Sequence, residues 1–372
     1  MVSLHTLRVK SLHDERRRLW STAFSDKALR GYEQRLQKYQ QKLIDHIILF
    51  NGQPINVIKW FNMYSFDFMG DLAFGKSFDL LENQDYGAID LFKNAFHALS
   101  FGFPAWFLRL LTAVPGLTRD WWKFIDFCAH QIQQRLENPV ATPDITSALS
   151  APLNGKEPTR KEWDLLRGDS QLIVVAGSDT TATTLSTIIY ELARNPRHIE
   201  LLRQELASHV EPSGEVLNEN IAKLEHLNGV INEALRLHPV VPTTIQRKTP
   251  PEGITIGDVF IPGDTTVICP QYVLGRSKDV YKNPSEFIPE RWSTRPDLII
   301  EKSAFAPFST GPYGCIGRPL ALLNIRTTIA RLITTFDLSF APGENGQRFE
   351  NDAKDAFTIG FGDLMISFRK RS

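Results

Sequence analysis

The stretch Phe308-Ser-Thr-Gly311-Pro-Tyr313-Gly314-Cys315-Ile-Gly317-Arg-Pro319 is followed at once by a helix-like run over residues 320–336. Three glycines within seven positions let the backbone turn tightly and lie close against a flat, bulky object. Pro319 fits the first turn of the helix, so Cys315 falls just before its positive end. Loop amides and a helix terminus both favour a thiolate over a thiol. On these residues alone two readings of Cys315 stand: a buried structural cysteine, the default for a lone Cys, or a thiolate that ligates a metal.

Upstream, a long helical pattern over residues 159–194 contains Ala176-Gly177-Ser178-Asp179-Thr180-Thr181. Glycine inside a helix costs roughly 1 kcal/mol against alanine, so Gly177 needs a reason. The small pair Ala176 and Gly177 opens a groove against the helix backbone, where a ligand can approach. Asp179 and Thr180 lie three and four residues from Ala176, which sets a gap, a carboxylate and a hydroxyl on one face. A helix-packing notch beside a surface Asp is the structural alternative. Further on, Glu233-Ala-Leu-Arg236 pairs an acid with a base at i and i+3, flanked by Ile231, Ala234, Leu235 and Leu237. A pair buried by such neighbours wants a third partner, and Arg291 in Pro289-Glu290-Arg291-Trp292 is a candidate.

The rest of the chain is less specific. Its 372 residues are 42% hydrophobic and 23% charged, ordinary for a globular protein with a sizeable core. Lys+Arg and Asp+Glu both number 42, so no electrostatic feature argues for a nucleic-acid partner. Three cysteines, Cys128, Cys269 and Cys315, are too few and too dispersed for a disulfide framework or a zinc cluster. No run of about 18 apolar residues suggests a membrane span. Residues 101–117, rich in Phe, Leu and Trp106 but broken by Pro104 and Pro115, read as a core segment or an interfacial one.

Helical periodicity dominates to Pro239, with further helices expected over 29–50, 55–78, 90–99, 120–136, 197–210 and 224–237. Residues 137–158 carry four prolines and read as a loop. Short β-like runs follow at 254–256 and 265–268, and residues 357–368 read as two strands around Gly360-Phe-Gly362. The composition is continuous across residues 1–372, which reads as one mainly α domain with small β-sheets.

Taken in order, these motifs resemble the cytochrome P450 superfamily of haem-thiolate monooxygenases. Phe308, Gly311, Cys315 and Gly317 match the family's Phe-x-x-Gly-x-Arg-x-Cys-x-Gly pattern, and Ala176-Gly177-x-Asp179-Thr180 matches its oxygen-activating helix. Glu233-x-x-Arg236 with Arg291 matches its Glu-Arg-Arg triad. The stretches His13-Asp-Glu-Arg-Arg17-Arg-Leu-Trp20 and Asp67-Phe-Met-Gly-Asp-Leu-Ala-Phe-Gly75 resemble eukaryotic, fungal-type members.

The resemblance implies haem (iron protoporphyrin IX) ligated by Cys315, with Phe308, Gly311 and Gly317 shaping the loop. It implies dioxygen beside Ala176 and Gly177, proton relay by Asp179 and Thr180, and propionate anchoring by His13, Arg17 and Arg247. The triad is structural in that picture. The reaction implied is insertion of one oxygen atom from O2 into an apolar small molecule, in secondary metabolism, with electrons from an NADPH-cytochrome P450 reductase. Val241, Thr244 and residues 357–359 are expected against the substrate, and residues 101–107 at its access channel. Localisation is expected at the cytosolic face of the endoplasmic reticulum membrane if an anchor precedes this chain.

Two departures stand out. Tyr313 occupies the position where the family has an Arg, itself a propionate partner. The chain also begins late relative to the family pattern. The expected fold therefore lacks the N-terminal anchor, the first helices and part of the larger sheet, with an exposed edge near residues 254–268. A truncated, non-catalytic fragment that binds haem weakly or not at all is the alternative reading. A peroxide-rearranging member is disfavoured by the intact Asp179-Thr180 motif.

Overall fold

A computed structural model describes residues 2–96, 105–114, 116, 118–211, 214–243 and 245–371. The first helix, α1 (Lys10–Ala23), ends at Phe24, and Ser25 caps α2 (Asp26–Leu49) by accepting from the Ala28 amide. Strand β1 (Pro54–Asn56) leads into α3 (Val57–Phe74), almost wholly buried and closed by Gly75 in the left-handed region. Then come α4 (Leu80–Asn83), α5 (Gly87–Phe96), α6 (Ala105–Ala113) and α7 (Arg119–Glu137).

The proline-rich segment expected as a loop holds a short helix, α8 (Ile145–Ser150). Asp144 and Ser147 form a reciprocal capping box, which satisfies the first amides despite the prolines around them. The 35-residue α9 (Arg160–Arg194) starts on a second capping box, Thr159 with Glu162, and runs through the centre of the molecule. It packs along α3 and against α7, and against the later helices α10 (Pro196–Leu206), α12 (Glu225–Leu237) and α14 (Arg318–Thr335). The four-residue α11 (Asn218–Ile221) precedes α12. Among the described residues α9 is the one helix long and apolar enough to cross a membrane. Because 72% of its apolar window is buried inside the protein, it behaves as a core helix.

After α12 the chain turns irregular. Strand β2 (Arg247–Lys248) pairs antiparallel with β5 (Thr266–Val267), and β3 (Ile254–Ile256) pairs with β4 (Val259–Ile261). Both ladders are two-stranded, and Ile254, Ile256, Val259 and Phe260 are exposed, in keeping with the expected open edge. A short helix, α13 (Gln271–Gly275), precedes the meander that leads to the cysteine loop.

The C-terminus holds the two expected strands together with elements the sequence did not show. After α14 come β6 (Phe336–Phe340), a short helix α15 (Gln347–Asn351), a tight hairpin of β7 (Lys354–Ala356) and β8 (Thr358–Gly360), and β9 (Met365–Lys370). The two strands around Gly360-Phe-Gly362 therefore do not pair with each other. β9 instead lies between β1 and β6, with Ile366 opposite Ile55 and Phe340. Burial explains the pairing: Ile55, Phe336, Ile366 and Phe368 all lie in the core beneath that sheet.

Candidate active site

The cysteine loop closes on itself through backbone hydrogen bonds. The Cys315 amide donates to the Phe308 carbonyl at 2.8 Å, and the Gly314 amide donates to Gly311 at 3.0 Å. Residues 311–313 make a single tight turn entered at φ +70° on Gly311, where a Cβ would meet no neighbouring atom, so the backbone angle itself asks for glycine. Gly317 then starts α14, and Pro319 sits in its first turn as expected.

Cys315 is exposed at the mouth of this loop. The protein crowding its sulfur raises the thiol pKa, and this outweighs four opposing influences: the Gly317 and Arg318 amides and the Arg17 and Arg318 guanidiniums. The loop amides and the start of the helix do favour the thiolate, as the sequence suggests, but burial of the sulfur opposes them. Those groups do aim at the sulfur, but a positive partner must be added before the thiolate form prevails.

Helix α1 brings its polar residues to the loop by a device invisible in the sequence. Asp169, fully buried on α9, accepts from Arg16 Nε at 2.7 Å, Trp20 Nε1 at 3.0 Å and the Leu4 amide at 2.9 Å. Burial pushes the Asp169 carboxyl up despite Arg16 beside it. This anchor gives three consecutive arginines different surroundings. Arg16 is spent on Asp169, Arg18 is exposed, and the charge of Arg17 acts on the cysteine.

His13 is buried, with its ring centroid 4.7 Å from that of Tyr313 and its Nδ1 3.1 Å from Asp14. From β2, Arg247 lies 5.8 Å over the same Tyr313 ring. Neither Arg17 nor Arg247 has a carboxylate partner among the described residues. Two unpaired guanidiniums thus converge on the loop that carries Cys315.

On α9 the two small residues play different parts. Ala176 is exposed in the middle of a helix whose neighbours Val174, Val175 and Ser178 are buried, so open space lies beside it. Thr180 lies on that side and its hydroxyl donates to the Ala176 carbonyl at 2.7 Å. Gly177 does not open the groove. A Cβ there would come within 2.4 Å of the Met69 methyl on α3, so glycine is explained by helix packing.

Asp179 also turns away from Thr180, since adjacent helix positions point about 100° apart. It is buried in a small pocket with Asn62, Lys93, Thr183, Ser186, Gly360 and Phe361. Burial raises its pKa, opposed by a hydrogen bond from Thr358 and by the Lys93 charge. Lys93 itself is exposed as a residue, yet crowding of its ammonium lowers its pKa, with Asp179, Asp90 and Asp363 pulling it back up. The Asp179 surroundings were missed in the sequence because Asn62, Lys93 and Thr358 share no spacing or motif with it.

The Ile359 amide donates to Val240 at 2.9 Å, which draws residues 240–241 and the β7–β8 hairpin together. Phe357, at φ +79° in the hairpin turn, is 46% exposed. Thr244 and residues 101–104 fall outside the described residues.

Behind the loop, Glu233 and both arginines have no exposed side-chain surface. Glu233 accepts from Arg236 at 2.7 and 2.9 Å, from Arg291 at 2.9 Å, from Trp292 Nε1 at 2.9 Å and from the Ile288 amide at 2.9 Å. The remaining guanidinium donors reach carbonyls of Gly275, Pro284, Glu286, Lys282, Asn283 and Leu298. Every charge is therefore satisfied, the condition for burying such a group. The network ties α12 to the meander.

Among the described residues no group of three or more His, Cys, Asp or Glu gathers to hold a metal ion. Cys315 offers one donor, so a metal bound there must bring its other ligands with it, as iron in a macrocycle does. The unpaired Arg17 and Arg247 suit the carboxylates of such a group, and the residues fit haem. The cytochrome P450 family model matches residues 4–360.

The chain belongs to the cytochrome P450 family. Tryprostatin B 6-hydroxylase of Aspergillus fumigatus is 50% identical over 375 residues, covering 100% of this chain and 67% of that protein. The enzyme of the same name from Neosartorya fischeri is 49% identical, with 68% of it covered. The cytochrome P450 monooxygenase notG' of Aspergillus versicolor is 47% identical, with 69% covered. A crystal structure of the cytochrome P450DA heme domain superposes with a TM-score of 0.80 at 20% identity, over 99% of this chain and 79% of that one.

This P450 is accordingly a haem-iron oxidoreductase, a monooxygenase of the fungal secondary-metabolism type that uses O2, a small-molecule substrate and a redox partner. The reading as a non-catalytic fragment is set aside by these relatives.

Proposed function

We propose that residues 1–372 act as one P450 domain that inserts an oxygen atom into an apolar small molecule, with Cys315 as the iron ligand. The convergence of a lone thiol with the unpaired Arg17 guanidinium carries this assignment. Haem held on Cys315 supplies the reduction of dioxygen and the transfer of one of its atoms. Phe308 and Arg318, whose guanidinium lies 5.9 Å over the Phe308 ring, screen the sulfur from water. His13, Arg17 and Arg247 hold the carboxylates of the group.

Thr180 Oγ1 turns from the Ala176 carbonyl to offer its proton on the open side of Ala176, and Asp179 resupplies it through a water, because the two side chains diverge. The raised Asp179 pKa keeps that carboxyl protonated further up in pH than an ordinary Asp. Coupled turnover therefore falls as pH rises through this pKa. Asp179→Asn is expected to lower product formed per NADPH on the order of a hundredfold and to flatten that pH dependence. A variant that keeps wild-type coupling at every pH rules the relay out.

Electrons are assigned to an NADPH-cytochrome P450 reductase docking on the exposed side of α1 around Arg18. Residues 101–117 are assigned a peripheral contact with the cytosolic face of the endoplasmic reticulum membrane. Trp106, Leu110 and Val114 there are 69%, 56% and 45% exposed. Val241, Phe357, Thr358 and Ile359 are assigned to substrate contact, and tryprostatin B, named for two relatives, is the first substrate to try.

The test is a reduced-minus-CO spectrum of the haem-loaded chain, followed by incubation with reductase, NADPH, O2 and tryprostatin B. A thiolate-type band and a product heavier by one oxygen atom are expected. A neutral-thiol band, or none, overturns the assignment of Cys315.

A further inference from the structure

We infer that Tyr313 is a positioning residue for the haem carboxylates, acting through the two groups packed on its ring, and that it substitutes for a third arginine at this edge. The inference rests on the haem-edge reading above. Four observations carry it. The Tyr313 ring lies 4.7 Å from the buried His13 ring, tilted by 44°. The Arg247 guanidinium lies 5.8 Å over the same ring. Arg247 comes from a strand of two residues, is itself exposed, and its guanidinium makes one hydrogen bond among the described residues, to the adjacent Gln246 carbonyl. Tyr313 is 44% exposed, so its ring is not a core element that merely fills space.

The charges around the ring explain why a phenol suffices. Lys10 lies on the same helix as His13, but its ammonium is 2.5 Å from Asp14, and Asp14 also contacts His13 Nδ1. That carboxylate answers the local positive charge of α1. Arg17 and Arg247 remain unpaired, two cations for the two carboxylates that a haem carries. At position 313 a phenol supplies a hydrogen-bond donor without adding charge. Its ring also limits the rotamers open to Arg247, so less freedom is lost when that side chain meets a carboxylate. Sequence alone shows Tyr313 as a missing arginine; the packing shows it as the surface on which His13 and Arg247 are held.

A double-mutant cycle on haem release tests this, with the Soret absorbance followed as haem transfers from the loaded chain to excess apomyoglobin. Tyr313→Phe keeps the ring and removes the hydroxyl, and is expected to speed release roughly two- to fivefold. Tyr313→Ala removes both and is expected to speed it roughly tenfold or more, since the cation–π contact goes as well. Arg247→Ala should speed release strongly in the wild type and distinctly less when Tyr313 is already Ala, because the two act as one unit. Tyr313→Ala releasing haem at the wild-type rate, or the two substitutions multiplying independently, sinks this inference while leaving Cys315 as ligand. A wild-type chain that takes up no haem sinks the haem-edge reading, and this inference with it.

Discussion

Cys315→Ser is expected to abolish the thiolate-type CO band and all turnover while leaving the haem-free fold intact. Cys315 is exposed as a residue and serine keeps nearly its shape, so the replacement should change haem-free stability by no more than about 0.5 kcal/mol. The loop is held by backbone bonds, Cys315 N to Phe308 O and Gly314 N to Gly311 O, which serine retains. What disappears is the single sulfur donor, and no His, Cys, Asp or Glu cluster among the described residues replaces it. Cys269→Ser is the matched control and should keep the band. Retention of a thiolate-type band by Cys315→Ser would mean that another sulfur binds the iron.

Glu233→Ala is expected to cost about 3–5 kcal/mol of stability, because it strands two buried guanidiniums without a counter-charge. Against total stabilities of about 5–15 kcal/mol, a loss of that size leaves little folded protein to load with haem. Arg236→Ala and Arg291→Ala should each be severe, and the double substitution with Glu233→Ala should cost less than the sum, since all three belong to one network. Urea midpoints measured on the haem-free chain give the comparison. A loss below about 1 kcal/mol for Glu233→Ala would show that the network is dispensable.

Much of this was legible without coordinates. The cysteine loop, the Asp179-Thr180 helix and the Glu233-Arg236-Arg291 set were each readable because their residue types and local spacing are dictated by short-range geometry. A tight turn asks for glycine at 311, helix α14 accepts Pro319 in its first turn, and an acid–base pair three apart on an apolar face asks for a third partner. The boundaries of α9 follow the capping pair Thr159 and Glu162. The prolines of residues 137–158 misled because the reading weighed breakers and overlooked Asp144 and Ser147, the capping pair that started α8.

Residue identity fixed which groups are available; three-dimensional packing fixed where each points. Arg16, Arg17 and Arg18 are alike in the sequence, and the buried Asp169, over 150 positions away, assigns them different roles. Gly177 reads as a ligand groove until Met69 is seen to fill it. Asp179 and Thr180 are neighbours in the chain but diverge in space, the former meeting Thr358 and Lys93. The physical reason is the same in each case. Local patterns are set by backbone geometry over a few residues, whereas direction, burial and pKa depend on contacts between segments that the chain brings together only on folding. The sequence by itself determined that Cys315 is the metal-ligand candidate. Only the tertiary structure decided that the charges of Arg17 and Arg318 act on its sulfur, and that His13 and Arg247 meet at the Tyr313 ring.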